Sequence, residues 1–414
     1  MISSKKIVSP LIINDIINYI LNSKWCVAIL LFAFFEPSGG VQYFSELDSF
    51  YFIARILSSL IMGIIIIHEI IFRKKISTNF IIIVLFYLLL YVITAYKSIA
   101  DANILIVGII YRILKIGFVD LALKRDTLNA VSGLSIIFIS LVSINFLMML
   151  IFPEGLLFDS VDRRIHFLGI GNSITRYVIH GMNFISLRFI LSEKAIHKQL
   201  ILFFTIALMT FFLTTSDTGL IVVLLFLSTF ILWHFSCGFE KRFFRFSNLL
   251  FLFLFFQISL VFFQATLLLR LFGDFNYILS GRTYIWAEGM RMFWEAPLFG
   301  YGRIDGGRLI PILGSSQLWG SNNPTEIWTA HNTGLQLMLE MGLFGILLIS
   351  LLLKEVVRSL KKIEKTKEAS LIAIGLFVIL VSGLTESIDI FMLLLALIVA
   401  VNVGNSIKDS KKAA

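Results

Sequence analysis

The sequence has 414 residues, of which 58% are hydrophobic and only 15% are charged, and it contains 41 phenylalanines. A single water-soluble core could not bury that much apolar surface, so lipid is expected to surround the protein as its solvent. The net charge of +9 does not indicate nucleic-acid binding, because the cations lie in short clusters between apolar runs, as in cytoplasmic loops that face anionic lipid.

Apolar runs long enough to cross about 30 Å of hydrocarbon predict an all-α polytopic membrane protein with about twelve transmembrane helices. The runs are centred near residues 30, 61, 88, 113, 141, 179, 206, 227, 257, 342, 377 and 397. The first run lacks the small-residue cleavage site of a secretory signal, so it is expected to remain as a span. Residues 1–414 are therefore interpreted as one transmembrane domain.

Clusters of lysine and arginine follow every second predicted span, and the loops between them are short and poor in cations. Cation-rich short loops stay in the cytoplasm, so the alternation predicts that both termini are cytoplasmic. The clusters include Arg73-Lys74-Lys75, Lys124-Arg125, Lys241-Arg242 and a run from Lys354 to Lys367.

Ionisable residues also lie inside predicted spans, with Arg112 and Lys115 in the fourth and Arg176 and Arg188 in the sixth. Such residues usually face the interior of the bundle or a wet cavity. Arg176 follows Arg164 by twelve residues, which at helical spacing would place both on one wall. Arg188, near the predicted cytoplasmic end, is interpreted as a snorkelling anchor.

Two predicted exterior segments depart from this charge pattern. One is DSVDRRIHFLGIGN, with Arg163 and Arg164, and the other is the loop 267–330 between predicted spans 9 and 10, which has arginines but no lysine. Because arginine presents a permanently charged fork to phosphate oxygens, the loop is predicted to recognise an anion. The alternative for any single arginine is that it snorkels at the interface or pairs with a nearby carboxylate. The loop arginines are Arg270, Arg282, Arg291, Arg303 and Arg308.

Within this loop, residues 281–295 are predicted to form an amphipathic helix at the membrane surface. The residues that recur at helical spacing are Arg282, Trp286, Met290 and Phe293. Arg291, nine residues after Arg282, is expected on roughly the same face. Pro297 then ends the helix, and the glycines beyond it predict a tight, ordered backbone. These glycines are Gly300, Gly302, Gly306 and Gly307.

His331 and Asn332 open the tenth predicted span. Asn332 is predicted to cap this helix, whose free N–H groups favour negative charge. One interpretation of His331 is an interfacial histidine that hydrogen-bonds at a helix start. Its position beside an arginine-bearing loop favours a second one, a neutral imidazole that accepts a proton from an alcohol.

No sequence motif supports a metal or cofactor. The predicted exterior side has no Asp-x-Asp pair, and the chain has no HExxH motif and no paired cysteine motif. The chain also lacks a GxSxG elbow and a P-loop, which argues against an acyl hydrolase or an NTPase.

Several segments of the chain resemble a known family. SGRTYIW, PLFGYGR and AHNTGLQLMLEMGLFG resemble the C-terminal signature shared by bacterial O-antigen ligases and polysaccharide repeat-unit polymerases. Upstream, INFLMMLIFPEGL and FLGIGNS resemble the middle of capsule and O-antigen polymerases. The resemblance covers about residues 140–345 by motif. It implies a GT-C-like membrane glycosyltransferase that acts on sugars carried by undecaprenyl diphosphate at the outer face of the bacterial inner membrane.

The resemblance also assigns roles to residues. Arg164 matches the arginine before the family's glycine-containing segment, Arg282 matches its Gly-Arg arginine, and His331 matches the histidine after the long loop. These three are the predicted catalytic residues. Arg291 followed by ten residues and Gly302 fits an Arg-x10-Gly pattern of polymerases.

One departure from the family pattern favours a polymerase over a ligase. Ligases commonly have an arginine after a serine at the end of the seventh span, whereas this chain has Thr214-Thr215-Ser216-Asp217. Asp217 is therefore a second candidate base or an arginine partner.

The residues and the resemblance together predict the polymerisation of undecaprenyl-diphosphate-linked oligosaccharide repeat units into O-antigen or capsular polysaccharide, without a metal. Arginines would stabilise the departing diphosphate, and His331 would orient or deprotonate the acceptor hydroxyl. The predicted substrate-binding residues are Arg176, Arg291, Arg303, Asn332 and Asp217. The lipid substrates are expected to enter laterally from the membrane lipid, and a chain-length regulator is a candidate partner.

Two alternatives stay open at this stage. A ligase would transfer glycan to lipid A-core, and a transporter would flip the lipid-linked oligosaccharide. Transporters often show two related halves with interrupted helices in matching places. The sequence shows one dominant late loop and no such repeat, which favours an enzyme.

Overall fold

The computed structural model describes residues 10–73, 77–97, 102–159, 162–192, 197–214, 216–235, 243–262, 282–303 and 329–413. Nearly all of these residues are helical, as predicted, and a short antiparallel hairpin joins two of the helices. Only residues 282–303 and 329–330 of the predicted loop 267–330 are described. Arg270, Arg308, Gly306 and Gly307 lie outside the described residues.

The first half of the described chain runs from α1 to the hairpin. Its elements are α1 (Pro10–Asn22), α2 (Lys24–Phe32), α3 (Ser38–Tyr43), α4 (Ser45–Arg73), α5 (Thr78–Lys97), α6 (Ala102–Arg125), α7 (Thr127–Ile151), β1 (Leu157–Phe158) and β2 (Arg164–Ile165). The second half contains α8 (Gly171–Leu191), α9 (His197–Thr214), α10 (Asp217–Phe235), α11 (Phe246–Phe262), α12 (Arg282–Glu295), α13 (Thr333–Lys361), α14 (Lys367–Ser382) and α15 (Ile390–Ala413).

Each predicted apolar run coincides with a described helix or, for the first run, with α1 and α2, which are bent by 83° at their junction. Among the described residues, seven helices are long and apolar enough to cross a membrane, or eight if the bent pair is one span. The protein is therefore a multi-pass membrane protein, and the count of twelve stays a prediction. Of the remaining runs, α6 carries five charged residues, α8 carries two arginines and several polar residues, and α11 and α14 have only 17 and 16 residues.

The core of the bundle is built around α7 and α15. Helix α7 packs against α2, α8 and α9, and α15 packs against α6, α13 and α14. In the most apolar 18-residue stretch of each helix, 78% of the residues are buried in α15 but only 28% in α4. Helix α4 leaves large apolar side chains on the outer surface. The central helices thus pack against one another, and the peripheral helices expose one apolar face to lipid.

The connection between α14 and α15, residues 383–389, lies deep in the bundle, and we name it the floor loop. Helix α14 spans about 24 Å, which is less than the roughly 30 Å of hydrocarbon. Helix α6 runs beside α15 in the same direction, since Lys115 contacts Phe391 and Asp120 accepts a hydrogen bond from Asn402. Because α6 begins at Ala102, about 20 Å before Lys115, the floor loop lies at the bottom of a depression.

Helix α13 is broken at Gly342, where φ is 59° and ψ is −153°. The segment after α12 fills the break, so the backbone groups that the break frees are bonded. Four hydrogen bonds do this: Tyr301 N to Leu339 O (2.7 Å), Gly302 N to Glu340 O (2.8 Å), Leu343 N to Pro297 O (2.8 Å) and Phe344 N to Leu298 O (3.2 Å). PLFGYGR and MGLFG, which are distant in sequence, therefore form one packed unit.

The predicted end of α12 and the tight backbone beyond it are confirmed. Helix α12 ends at Glu295, and Gly300 and Gly302 have φ of 67° and 82°, which favour glycine. A Cβ at Gly302 would lie 2.6 Å from the Cα of Thr94. The glycine thus allows this segment to lie directly on α5.

Candidate active site

Glu386 of the floor loop is the centre of a polar cluster at the bottom of the depression. Its Oε1 accepts hydrogen bonds from Nη2 of Arg282 at 2.5 Å and from Nδ2 of Asn172 at 2.9 Å, and its Oε2 lies 3.5 Å from Nδ1 of His331. The side chains of Arg282 and Glu386 are only 16% and 15% exposed. Three elements, α8, α12 and the start of α13, therefore meet at one shielded carboxylate.

His331 is held in an unusual backbone conformation just before α13. Its φ is 47°, a value that non-glycine residues rarely adopt and that often marks functional positions. Trp286, which is fully buried, donates from Nε1 to the carbonyl of Ala330 at 2.9 Å. Helix α12 is thus anchored to the residue that precedes the histidine.

Asn332 fixes the other side of His331, and its predicted role as a helix cap is confirmed. Its Oδ1 accepts from Leu335 N at 2.8 Å, while the buried amide also bonds Gln257 and the carbonyl of Leu384. Thr333 donates from its backbone N to Gly383 O at 2.8 Å. These bonds tie the start of α13 to the floor loop, so Asn332 positions the site rather than lining its cavity.

A second layer of hydrogen bonds reaches Glu386 through Asn172. Ser216, just before α10, donates from Oγ to Oδ1 of Asn172 at 3.0 Å, which leaves the Asn172 amide nitrogen to donate to Glu386. The neighbouring Asp217 is exposed in the first turn of α10. The junction of α9 and α10 therefore reaches the site through Ser216, while Asp217 faces outward.

A polar cavity of about 410 Å³ opens beside this cluster. Arg163, Arg176 and His331 line it together with Glu386, and hydroxyl and amide side chains complete the wall. The latter are Asn172, Ser173, Thr175, Thr329, Ser382 and Ser387. The buried Oγ of Ser387 has no hydrogen-bond partner among the described residues. Cations next to hydroxyl groups suit a ligand that carries both phosphate and sugar.

An apolar groove of about 420 Å³, the first groove, adjoins the polar cavity at Ile388, which lines both. Side chains of α11 to α15 form its walls, including Phe253, Ile258, Phe293, Trp294, Leu337, Met338, Leu343 and Leu393. Several of them are exposed on the outer surface of the bundle, among them Ile258 and Trp294. The arrangement fits a ligand with a polar head and an apolar tail.

The structure brings Arg282 and Arg176 to the site but directs Arg164 elsewhere. Arg164 pairs with Glu154 at 2.5 Å and its side chain is 45% exposed. The adjacent Arg163 lines the polar cavity, while its Nε donates to Oδ2 of Asp159 at 2.6 Å and its side chain is 61% exposed. The expectation that Arg164 and Arg176 share a helical wall is wrong, because α8 begins only at Gly171 and Arg164 lies in β2. The hairpin instead carries Arg163 to the cavity.

Arg291 lies on the outer face of α12, away from Arg282. Nine helical residues amount to two and a half turns, or roughly 180°, so the expectation of a shared face is wrong. Arg291 pairs with Glu288 and Glu295, and its side chain is 59% exposed. The hydrogen bond from Arg291 holds the pKa of the Glu288 carboxyl below its usual value. Arg303 docks elsewhere, since its backbone N donates to Oγ1 of Thr94 at 2.7 Å.

Sequence reasoning missed Glu386, Asn172 and Ser216. A signal for Glu386 was present, because the short connection TESIDI between the last two apolar runs contains two carboxylates, Glu386 and Asp389. Carboxylates at such a position are expected to have cationic partners. No pattern in the sequence singled out Asn172 or Ser216.

Comparison with known families gives one result for this region. Residues 202–350 match the family model described as O-antigen ligase (Wzy_C). The matched residues run from α9 into α13 and include Arg282 and His331, whereas Asn172 and Glu386 lie on either side of them. No curated protein matches the chain.

Proposed function

We propose that this chain polymerises undecaprenyl-diphosphate-linked oligosaccharide repeat units. The match of residues 202–350 to the O-antigen ligase family model supports the proposal, because it supports a relation to the O-antigen ligase and polymerase superfamily. The family comprises membrane glycosyltransferase-like ligases and polymerases of the bacterial inner membrane that act on lipid-linked oligosaccharides. The product of the proposed reaction is O-antigen or capsular polysaccharide.

The observation that carries the proposal is the order of the two cavities. The polar cavity with Arg176, His331 and Glu386 adjoins the first groove at Ile388. A lipid-linked saccharide has the same order, with sugar, then diphosphate, then an isoprenoid chain. Its head can occupy the polar cavity while its tail lies in the first groove, which it enters laterally from the bilayer.

In the proposed reaction, an acceptor hydroxyl attacks the anomeric carbon of the donor sugar. The bond between that carbon and the diphosphate oxygen breaks, and its electron pair stays with the departing diphosphate. Arg282, Arg176 and Arg163 stabilise this negative charge. The proton of the hydroxyl moves to Nε2 of His331, and Glu386 acts as a positioning residue that accepts the Nδ1 proton of the ring in a hydrogen bond.

The polymerase reading is favoured over the ligase reading by the segments that line the polar cavity. FLGIGNS, which resembles polymerases, supplies Asn172 and Ser173, and the turn before it supplies Arg163. A ligase, with lipid A-core as the acceptor, is the second candidate because the family description names ligases.

The depression is proposed to face the extracytoplasmic side, with both termini cytoplasmic. This orientation follows from the cations at the opposite ends of the helices, where Lys124 and Arg125 end α6 and Arg358 and Lys361 end α13. Isoprenoid-linked repeat units would then be joined outside the cytoplasm, in a site that a chain-length regulator can reach.

Purified protein in detergent, supplied with defined undecaprenyl-diphosphate repeat units, tests the proposal. We expect glycosidic bonds between repeat units, which exclude mere transport because detergent provides no compartment to cross. His331→Ala and Arg282→Ala should abolish product, whereas Arg291→Ala, on the outer face of α12, should retain it. Product formed only when lipid A-core is added would establish a ligase, and normal product ladders in both site variants would refute the site.

A further inference from the structure

We infer that Arg112, Lys115 and Arg303 form a second anion site, on the Asp389 side of the floor loop, which binds the diphosphate of a second lipid-linked saccharide. This inference rests on the proposed function, because a polymerase joins two such lipids. It assigns a task to charged residues within α6 that the chemistry at Glu386 leaves unused.

Lys115 provides the first observation. The residue is only 8% exposed, and its ammonium lies 3.7 Å from the ring centroid of Phe391 and 5.3 Å from that of Phe34. Among the described residues, no carboxylate lies within ion-pairing distance of Lys115 or Arg112. Buried cations within membrane helices are costly, and where they occur they usually serve a substrate or ion.

Asp389 lies beside Lys115, because its Oδ1 accepts from the backbone N of Phe391 at 3.0 Å and the ring of Phe391 contacts the ammonium. Arg112 is about one turn before Lys115 in α6. The pKa of the Asp389 carboxyl lies below the usual value: burial opposes the charge, but Arg112, Arg303 and Lys115 outweigh burial. Asp389 itself is half-buried. Glu36, another nearby carboxylate, pairs with Arg55 at 2.9 Å. Arg112 and Lys115 therefore place two positive charges beside the carboxylate of Asp389.

A second apolar groove accompanies these cations. It has a volume of about 460 Å³ and lies between α5 and the segment after α12. Leu89, Val92, Ile93 and Tyr96 form one wall, and residues 295–300 form the other. Tyr96 is 84% exposed and Leu298 is 53% exposed, so the groove opens on the outer surface of the bundle. Arg303 docks on Thr94, next to Ile93, which places a cationic residue at the edge of the second groove.

The two grooves have similar volumes and are separated by one segment. Phe293 and Trp294 line the first groove, and residues 295–300 line the second. The same molecule thus offers two apolar places for an isoprenoid chain, one lined by Ile388 of the floor loop and the other next to Thr94, which Arg303 contacts. We assign the second groove to the isoprenoid chain of the second lipid.

The chemistry of polymerisation explains why the two anion sites differ. In the donor, the reacting anomeric carbon is bonded directly to the diphosphate, so this diphosphate must lie beside His331. In the acceptor, the reacting hydroxyl is on the sugar farthest from the diphosphate, about one repeat unit away. The acceptor diphosphate therefore needs a site of its own, which the Asp389 side provides.

Binding stoichiometry tests the inference directly. Purified full-length protein in detergent is titrated with geranylgeranyl diphosphate and examined by native mass spectrometry. We expect the natural chain to bind two equivalents of geranylgeranyl diphosphate. Arg112→Gln/Lys115→Met and Arg282→Gln should each bind one. The control Arg188→Gln, at the far end of α8, should bind two. Lys115→Arg, which keeps the charge, should retain two.

One bound equivalent in Arg112→Gln/Lys115→Met shows that this variant is folded. If the double variant binds none, Lys115→Arg, which should bind two, tests the site in its place. One equivalent in the natural chain, or two in the double variant, overturns the inference. Displacement of the second equivalent by phosphatidylglycerol or by inorganic pyrophosphate at equal concentration also overturns it, because the site would then serve a phospholipid head or a free anion. Two equivalents without glycosidic bond formation would refute the proposed function and keep the second site.

Discussion

The two sides of the floor loop hold their carboxylates differently. Glu386 is bonded to Arg282 and Asn172, and His331 lies beside it. Asp389 makes no ion pair among the described residues; its Oδ1 accepts from Phe391 N at 3.0 Å, and its cations act on it from a distance. The Glu386 side has fixed donor and acceptor geometry, as proton transfer requires. The Asp389 side has Arg112 and Lys115, which form no ion pair within the described part of the chain.

The difference indicates a division of labour between chemistry and binding. A general base gains from a carboxylate that fixes its ring, whereas a diphosphate site gains from cations that no carboxylate neutralises, as holds for Arg112 and Lys115 among the described residues. The contrast concerns the polar groups around the two carboxylates. Substitutions on the two sides should therefore change different kinetic constants.

The largest effect is expected for Glu386→Gln. The amide cannot hold the His331 imidazole in the same tautomer and cannot neutralise Arg282, so kcat should fall about 100-fold while the KM values change little. The measurement is the rate of repeat-unit joining in detergent. Glu288→Gln, which removes a carboxylate that pairs with Arg291 on the outer face of α12, serves as the control and should be near normal. A fall in kcat of less than threefold for Glu386→Gln would contradict the proposed difference between the Glu386 side and the Asp389 side.

The sequence predicted the features that depend on local pattern. Hydropathy located the helices, the spacing of Trp286, Met290 and Phe293 located α12, and the Asn332 side chain predicted the cap of α13. Each feature depends on a few neighbouring residues, so it can be predicted without knowledge of the fold.

The features that failed depend on single-residue geometry or on distant contacts. Arg163 and Arg164 are adjacent, and successive residues of an extended chain point to opposite faces, so a shift of one residue decides which enters the cavity. Glu386 reaches Arg282 and Asn172 only because α14 is short and the floor loop lies deep. Neither the spacing of these residues in the sequence nor the composition of the chain predicts that contact.

An intermediate effect is expected for Gly342→Ala, which bears on the segment that separates the two grooves. A Cβ there would lie 2.5 Å from backbone atoms of Leu298, and φ is positive, so we expect a loss of about 1–3 kcal/mol in stability. Thermal unfolding in detergent measures this loss. Leu298 lines the second groove and Leu343, next to Gly342, lines the first, so binding of geranylgeranyl diphosphate should weaken at both sites.

Gly63→Ala is the matched control for Gly342→Ala. Gly63 lies within α4, where a Cβ would meet only Leu114 Cδ2 at 3.9 Å. Helix propensity favours alanine there, so stability should be unchanged or slightly higher. If Gly342→Ala weakens only one of the two sites, the segment does not hold both grooves.

The smallest effect is expected for Asp389→Asn. This substitution should strengthen acceptor binding, whereas Glu386→Gln should slow the reaction. The carboxylate competes with a diphosphate for Arg112, Lys115 and Arg303, so its removal should lower the acceptor KM about two- to fivefold, the factor that ~0.5–1 kcal/mol represents. The kcat should stay close to normal, because Asp389 does not contact His331. Initial rates at varied acceptor concentration measure both constants. A fall in kcat that resembles that of Glu386→Gln would mean that the floor loop acts as one unit, and a rise in acceptor KM would mean that Asp389 holds the cations in place rather than competing for them.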